Sequence, residues 1–214
     1  MQNFIYLASK SPRRRELLRA YGWEPQVLSD PSEPRGWFAG DEEELPGETP
    51  ADYVLRTAVT KLMDGIAARN ELSDPRMDAP VLAADTVVSL DGRILGKPRD
   101  REEAARFMRA HEVRTAVAVG RSREDYRALV VLSGVTMRPM SEEEIGRYVM
   151  TDEPYDKAGG YGIQGLAGLF VRSVAGSYTR IMGLPVCEAA ELLASYGVPA
   201  PALIQPIPTS STSK

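Results

Sequence analysis

Apolar and polar positions along the chain follow two different periods, which predicts a mixed α/β protein. Short apolar runs bounded by turn residues predict strands at 3–7, 24–28, 81–90, 113–119, 128–137 and 169–174. Stretches of helical period that follow a capping residue predict helices beginning near Ser11, Thr49, Asp100, Ser141 and Pro185. The Asp91-Gly92 pair indicates a hairpin, so the expected fold is a mixed, twisted sheet flanked by helices.

A strand end runs into a helix start at Ser9-Lys10-Ser11-Pro12-Arg13-Arg14-Arg15. Free backbone N–H groups at a helix N-terminus attract an anion, and hydroxyl and guanidinium groups add donors suited to phosphate. The alternative is a capped surface helix with a solvated basic turn, and the residues alone leave both interpretations open.

A carboxylate interrupts an apolar strand at Ala83-Ala84-Asp85-Thr86-Val87-Val88. Burying the Asp85 carboxylate costs roughly several kcal/mol unless a cation or hydrogen-bond donors face it. This favours a position in a cleft, where Asp85 accepts a proton from water or binds a divalent ion. A strand-end turn is the alternative.

Two glycine-containing segments are further candidates. Lys97, in Gly96-Lys97-Pro98, is a possible phosphate ligand because the hairpin returns it toward Asp85. The segment 156–165 is dense in glycine, which allows close backbone approach to a ligand. Within it, Gln164 offers an amide that can hydrogen-bond a base edge.

The composition restricts which ligands, disulfides and metal sites are expected. The net charge of -4 argues against a binder of nucleic-acid polymers, and the single cysteine excludes an internal disulfide and favours a reducing compartment. The single histidine, His111, excludes a zinc site built on several histidines, so any metal is expected to be a hard cation held by carboxylates.

The chain begins without an evident signal peptide, and no window approaches the roughly 18 apolar residues of a membrane span. We therefore expect a cytoplasmic protein without membrane association. One domain is expected over 1–198, followed by a disordered tail at 199–214 that is rich in Pro, Ser and Thr. A homodimer is expected on base rate.

Taken together, these motifs resemble the Maf family. The resemblance rests on the ordered set Leu7–Leu18, Ala84–Val88, Gly96–Pro98, Glu153–Gly165 and Gly183–Pro185. It implies two lobes around a central cleft, as in the inosine-triphosphate pyrophosphatases. It also implies hydrolysis of a nucleoside triphosphate to the monophosphate and pyrophosphate with Mg²⁺ or Mn²⁺.

The resemblance also assigns roles to residues. Asp85 matches the catalytic proton acceptor. Glu33 matches the acidic residue that closes the family's Asp-x-Asp-Glu segment, although the segment around it is one residue shorter than the family pattern. The hypothesis places the divalent ion on Asp85 and Glu33. The positions that match base-selecting residues are Arg13, Thr86 and Gln164, and those that match cleft lysines are Lys61 and Lys97.

The hypothesis that follows is a house-cleaning pyrophosphatase for dTTP and UTP, because Tyr161-Gly162-Ile163-Gln164 resembles that branch of the family. Residues expected to hold the triphosphate are Ser9, Ser11, Arg13, Arg14, Lys61 and Lys97. The alternatives are a Maf branch acting on 7-methyl-GTP or another modified nucleotide, and a non-catalytic, nucleotide-binding regulator of septum formation.

Overall fold

The computed structural model describes residues 3–29, 43–108 and 111–201, with the backbone alone for Asp156. The strands are β1 Phe4–Leu7, β2 Glu24–Val27, β3 Val81–Leu90, β4 Arg93–Leu95, β5 His111–Gly120, β6 Tyr126–Met137 and β7 Val171–Ala175. The helices are α1 Pro12–Ala20, α2 Pro50–Asn70, α3 Arg101–Phe107, α4 Glu142–Tyr148, α5 Tyr178–Ile181 and α6 Val186–Ser195. Short 3₁₀ helices occupy Glu153–Asp156, Ala158–Gly160 and Leu166–Leu169.

The strands of the described ranges form one mixed sheet in the order β2-β1-β3-β5-β6-β7, with β4 paired to β3. The strand β1 lies parallel to both β2 and β3, while the remaining pairs are antiparallel. The expected mixed sheet flanked by helices is thereby confirmed.

One side of β3 changes partner along its length. On that side β1 pairs with Val81 and Leu82, and β4 pairs from Val88 onward. Residues 83–87 therefore have no strand partner there within the described part of the chain, although their other side pairs continuously with β5. This opening, which we call the β3 gap, lies beside the C-terminal end of β1, where the chain turns into α1.

The two faces of the sheet are covered by different helices. Side chains alternate between faces along a strand, so Ala83 and Val87 face α2, whereas Leu82 and Ala84 pack with the apolar side of α6. Close contact of α2 with the sheet depends on Gly65, because a Cβ there would lie 2.5 Å from the Cβ of Ala8. The sheet is thus enclosed on both faces.

Local signals account for most element starts. Pro12 and Pro50 stand at the first turns of α1 and α2, and side-chain caps are made by Ser11, Thr49 and others. The hairpin at 91–92 is confirmed, with Asp91 at φ 51°. Most strand bounds agree with the expectation to within two residues.

Two regions differ from the expectation. The sequence predicts no helix or strand over 152–168, but these residues fold largely into three 3₁₀ turns held by side-chain contacts. The helix α5 was not predicted, since its four residues are too short for a periodic signal. The tail expected at 199–214 lies outside the described residues from 202 onward. No helix in the described ranges is long and apolar enough to cross a membrane.

The single histidine is a core residue of the sheet. His111 is buried, and its ring stacks on Tyr161 with centroids 5.1 Å apart. Burial lowers the pKa of His111 to about 4, and a weak polar contact with the Phe107 backbone offsets this only in part. Neither ring nitrogen has a hydrogen-bond partner among the described residues. At neutral pH the folded protein therefore holds this ring in its neutral form.

Replacing His111 with Phe should remove a pH-dependent loss of stability. The unfolded chain takes up this proton near pH 6.5 and the folded chain near pH 4, so acidification across that window favours unfolding. Below pH 4 both states are protonated and the effect is constant. The wild-type free energy of unfolding should fall by roughly 3 kcal/mol more than that of His111→Phe between pH 6.5 and 4. Urea titrations at each pH measure the difference, and parallel curves for the two proteins would contradict it.

Candidate active site

The first side of the site is the start of α1. Ser11 caps this helix and accepts the backbone N–H of Arg14 at 3.5 Å, while Ser9 accepts the backbone N–H of Ser11 at 3.2 Å. The first turn carries no acidic residue, and Arg13 is exposed beside the cavity described below. The helix N-terminus, together with Arg13 and Arg14, creates a positive electrostatic potential that attracts an anion.

Arg14 ties this helix start to two distant segments. Its Nε donates to the carbonyl of Gly183 at 2.7 Å, one Nη donates to Ser9 at 3.1 Å, and the other donates to Thr86 at 3.4 Å. Gly183 has a φ of 107°, which strongly favours glycine, and this backbone turn aims its carbonyl at Arg14. Arg14 therefore joins α1, β3 and the segment after α5.

A chain of hydroxyl groups runs inward from the same point. Thr86 Oγ1 lies 3.1 Å from Thr115 Oγ1, and Thr115 donates to the carbonyl of Arg180 at 2.8 Å. Thr86 and Thr115 are directly opposite each other on β3 and β5. The chain ties the sheet to α5, which forms one edge of the cavity.

The glycine-rich segment wraps around one carboxylate. Glu153 accepts hydrogen bonds from the hydroxyl of Tyr148 at 3.0 Å and from the backbone N–H groups of Gly162, Leu166 and Ala167 at 3.2, 2.6 and 3.1 Å. Burial alone would raise the pKa of Glu153, but these four donors outweigh it and hold the pKa below its usual 4.5. The carboxylate thus fixes the backbone on both sides of Gln164.

These elements enclose a cavity of about 290 Å³ on the Thr86 face of the sheet. Its lining residues, all within the described ranges, include three cations and no carboxylate. The cations are Arg13, Arg14 and Lys157, and the polar groups beside them include Thr86 and Gln164. The volume lies near the lower end for ligand pockets and suits a nucleoside-sized group better than a whole nucleotide.

A buried ion pair lies one residue earlier on β3. Lys61 of α2 donates to Asp85 at 2.8 Å, and both side chains are largely buried, with exposed fractions of 8% and 14%. Because Asp85 precedes Thr86, its side chain leaves the strand on the α2 face, opposite the cavity. Asp85 and Thr86 both belong to the β3 gap, so the gap carries one polar side chain toward each face of the sheet.

The chain matches the Maf-like protein family over residues 4–196. It is 50% identical to the dTTP/UTP pyrophosphatase of Bordetella parapertussis over 92% of this chain and 94% of that protein. It is 46% identical to the dTTP/UTP pyrophosphatase of Dechloromonas aromatica, covering 90% of this chain and 97% of that protein.

The protein belongs to the Maf family.

Two solved structures show weaker similarity. A Mycobacterium abscessus dITP/XTP pyrophosphatase aligns at 20% identity with a TM-score of 0.38, covering 63% of this chain and 74% of that one. The Staphylococcus aureus Ham1 protein aligns at 16% identity with a TM-score of 0.40, covering 63% and 72%. The family membership is established by the match over nearly the whole chain.

The Maf motifs converge on the β3 gap and its surroundings. Five of the residues expected from the sequence line the cavity together: Ser11, Arg13, Arg14, Thr86 and Gln164. Four lie outside the cavity lining: Asp85 and Lys61 in the ion pair, the exposed Lys97 after β4, and Ser9. Ser9 accepts a hydrogen bond from Arg14, which itself lines the cavity.

The backbone that leads to Lys97 runs toward the gap. The strand β4 runs antiparallel to β3 and pairs Leu95 with Val88, so the chain after Leu95 continues in the direction of Asp85. Gly96 accepts the backbone N–H of Gly159 at 3.0 Å, which fixes this exit against the glycine-rich segment. Glu33 lies outside the described residues, so its expected role as a metal ligand stays a prediction.

Three contributors to this Maf site were not identified from the sequence. Thr115 lies in an apolar strand that contains no recognisable motif. Only its position opposite Thr86 in the β-ladder brings it to the site. Glu153 belongs to a recognised motif, but its four contacts depend on how the following residues fold back. The α5 segment around Arg180 joins the site through a backbone carbonyl, which no residue type signals.

Replacing Glu153 with Gln should loosen the segment that carries Gln164. The amide keeps one acceptor oxygen but places an NH₂ donor against backbone N–H donors, which leaves buried groups unpaired at a cost of about 1–3 kcal/mol. We expect the KM for the nucleotide to rise about tenfold, with a smaller change in kcat, and the melting temperature to fall.

The matched control is Glu142→Gln, which makes the same chemical change at an exposed position in α4. Steady-state kinetics and thermal unfolding on both variants make the comparison. Wild-type KM and melting temperature in Glu153→Gln would show that this carboxylate does not order the segment.

Proposed function

We propose that this Maf protein hydrolyses dTTP and UTP to the monophosphate and pyrophosphate. The observation that carries the proposal is a cavity whose lining holds three cations and no carboxylate and includes Thr86, the neighbour along β3 of the buried Asp85–Lys61 pair. The proposal is supported by relatives at 44–50% identity over at least 90% of this chain that are named dTTP/UTP pyrophosphatases.

The base and sugar occupy the cavity in this proposal. Gln164 and Thr86 offer hydrogen-bonding groups to the base edge, while Arg13 and the start of α1 attract the phosphates. The triphosphate then extends through the β3 gap toward Asp85 and Lys61. Lys97 approaches from the β4 side as a further cation for the phosphate chain.

Asp85 acts as the proton acceptor for the attacking water. The water oxygen forms a bond to the α-phosphorus, the bond from that phosphorus to the α–β bridging oxygen breaks, and pyrophosphate leaves with the electron pair. Lys61 contacts the Asp85 carboxylate at 2.8 Å, which orients it, and adds positive charge near the phosphates. Positioning and charge neutralisation supply most of the rate in phosphoryl transfer.

The donor set also fits a divalent cation. Among the described residues no cluster of three or more acidic, histidine or cysteine side chains could hold a metal alone. Mg²⁺ commonly binds one or two carboxylates together with substrate phosphates and water, which one aspartate at the gap satisfies. Asp85 would hold Mg²⁺ or Mn²⁺, with Glu33 as a second ligand, and the ion would supply charge neutralisation at the phosphates.

Two further expectations are proposals of the same kind. A cytoplasmic location suits the exposed free thiol of Cys187, which persists best in a reducing compartment. A homodimer follows from base rate alone and is tested by light scattering on the purified protein.

Pyrophosphate release from a nucleotide panel tests the reaction. With Mg²⁺ or Mn²⁺ present, dTTP and UTP should be cleaved faster than CTP, dATP, GTP and 7-methyl-GTP. Asp85→Asn should lower kcat by a factor of about 10²–10⁴, because the amide cannot take a proton from water. Mass spectrometry of the products after reaction in ¹⁸O-labelled water should find the label in the monophosphate.

The control is Asp91→Asn, the same change in the hairpin that follows β3, where Asn tolerates the positive φ. Wild-type activity in Asp85→Asn would rule out the catalytic role of this residue. A preference for purine nucleotides would support the pyrophosphatase activity but contradict dTTP and UTP as its substrates. Nucleotide binding without turnover would favour a regulator.

A further inference from the structure

We propose that Thr115 is a positioning residue that makes Thr86 a hydrogen-bond acceptor toward the base, so that the cavity selects the imide N–H of uracil and thymine. The inference rests on the proposed function for the class of ligand in the cavity. It adds a residue outside the cavity lining to the determinants of specificity, and it states the direction of each hydrogen bond.

The direction is set by the innermost acceptor. A threonine hydroxyl has one proton to donate, and the backbone carbonyl of Arg180 can only accept. Since Thr115 gives its proton to that carbonyl at 2.8 Å, its oxygen is left to accept from Thr86 at 3.1 Å. The proton of Thr86 is thereby directed toward Thr115 on the neighbouring strand and is not offered to a ligand in the cavity.

The outer neighbour reinforces this arrangement. The guanidinium of Arg14 can only donate, and it lies 3.4 Å from the oxygen of Thr86. Arg14 is itself held by its 2.7 Å hydrogen bond to Gly183. One lone pair of Thr86 therefore faces Arg14 and the second remains for a ligand, so that a ligand must bring a donor.

Uracil and thymine meet this requirement and cytosine does not. At ring position 3, uracil and thymine carry an N–H donor, whereas cytosine carries a bare acceptor nitrogen of almost the same shape. Two acceptors facing each other leave buried groups unpaired, which is the strongest basis for rejecting an analogue of equal size.

Gln164 cannot supply this selection alone. Its side chain is exposed, and a rotation of its amide exchanges the oxygen acceptor for the NH₂ donor. An amide that is free to rotate satisfies either pyrimidine edge. Thr115, by contrast, is fully buried opposite Thr86 in the β-ladder, and it holds the hydroxyl direction fixed.

The test compares Thr115→Val with Thr115→Ser. Valine keeps the shape of the side chain but removes the hydroxyl, so Thr86 can turn its proton toward the ligand and accommodate cytosine. Serine keeps the hydroxyl and is the matched control. The UTP-to-CTP ratio of kcat/KM should fall about tenfold in Thr115→Val and stay near the wild-type value in Thr115→Ser.

Calorimetric titration with UMP and CMP gives a readout that does not need turnover. The UMP-to-CMP ratio of association constants should change by the same factor, even for a protein that hydrolyses neither triphosphate. The failure of the proposed function would appear as absent hydrolysis in the wild type. The failure of this inference would appear as an unchanged UMP-to-CMP ratio in a folded Thr115→Val protein.

A second variant keeps the test decisive if Thr115→Val does not fold. The thiol of Thr115→Cys hydrogen-bonds weakly, so its UMP-to-CMP ratio should lie below that of Thr115→Ser. Loss of UMP and CMP affinity by equal factors would indicate a purely structural role for Thr115 and overturn the inference.

Discussion

The interruption of hydrogen bonding along one side of β3 is the constraint on which the rest of the site depends. Because β1 stops pairing at Leu82 and β4 starts at Val88, a five-residue stretch of this central strand pairs with β5 on one side and has no strand partner on the other within the described ranges. Consecutive side chains of this stretch serve opposite faces of the sheet. In the proposed function, one ligand passes this edge and contacts Asp85 on the α2 face and Thr86 on the cavity face.

Around the β3 gap, charged side chains are held in place by direct contacts. Lys61 forms an ion pair with the carboxylate of Asp85. The close contact of Gly65 with Ala8 sets the position of α2, which carries Lys61. On the other face, the Glu153 carboxylate accepts four hydrogen bonds and orders the segment that carries Gln164. Such preorganised polar groups cost folding stability where they are buried, but they need no rearrangement when charge develops during the reaction.

The sequence was sufficient to predict the parts of the site whose chemistry is local. Asp85 was recognisable because a carboxylate inside an apolar strand needs a partner, and Ser11 because a capping residue before Pro12 marks a helix start. Thr115 was not recognisable, since its role comes from a strand register and a carbonyl 65 residues away. The fold class followed from periodicity, whereas α5 was too short to give a periodic signal and the turns in 152–168 arise from contacts to Glu153.

The central claim is that one nucleotide spans the sheet through the β3 gap. A crystal structure with the non-hydrolysable α,β-imido analogue of UTP tests it directly. The account predicts the uracil ring in the cavity with N3 within hydrogen-bond distance of Thr86, and the α-phosphate at the gap within reach of a water held by Asp85. A triphosphate that stays on the cavity face, with Asp85 and Lys61 still paired beyond its reach, would contradict the account.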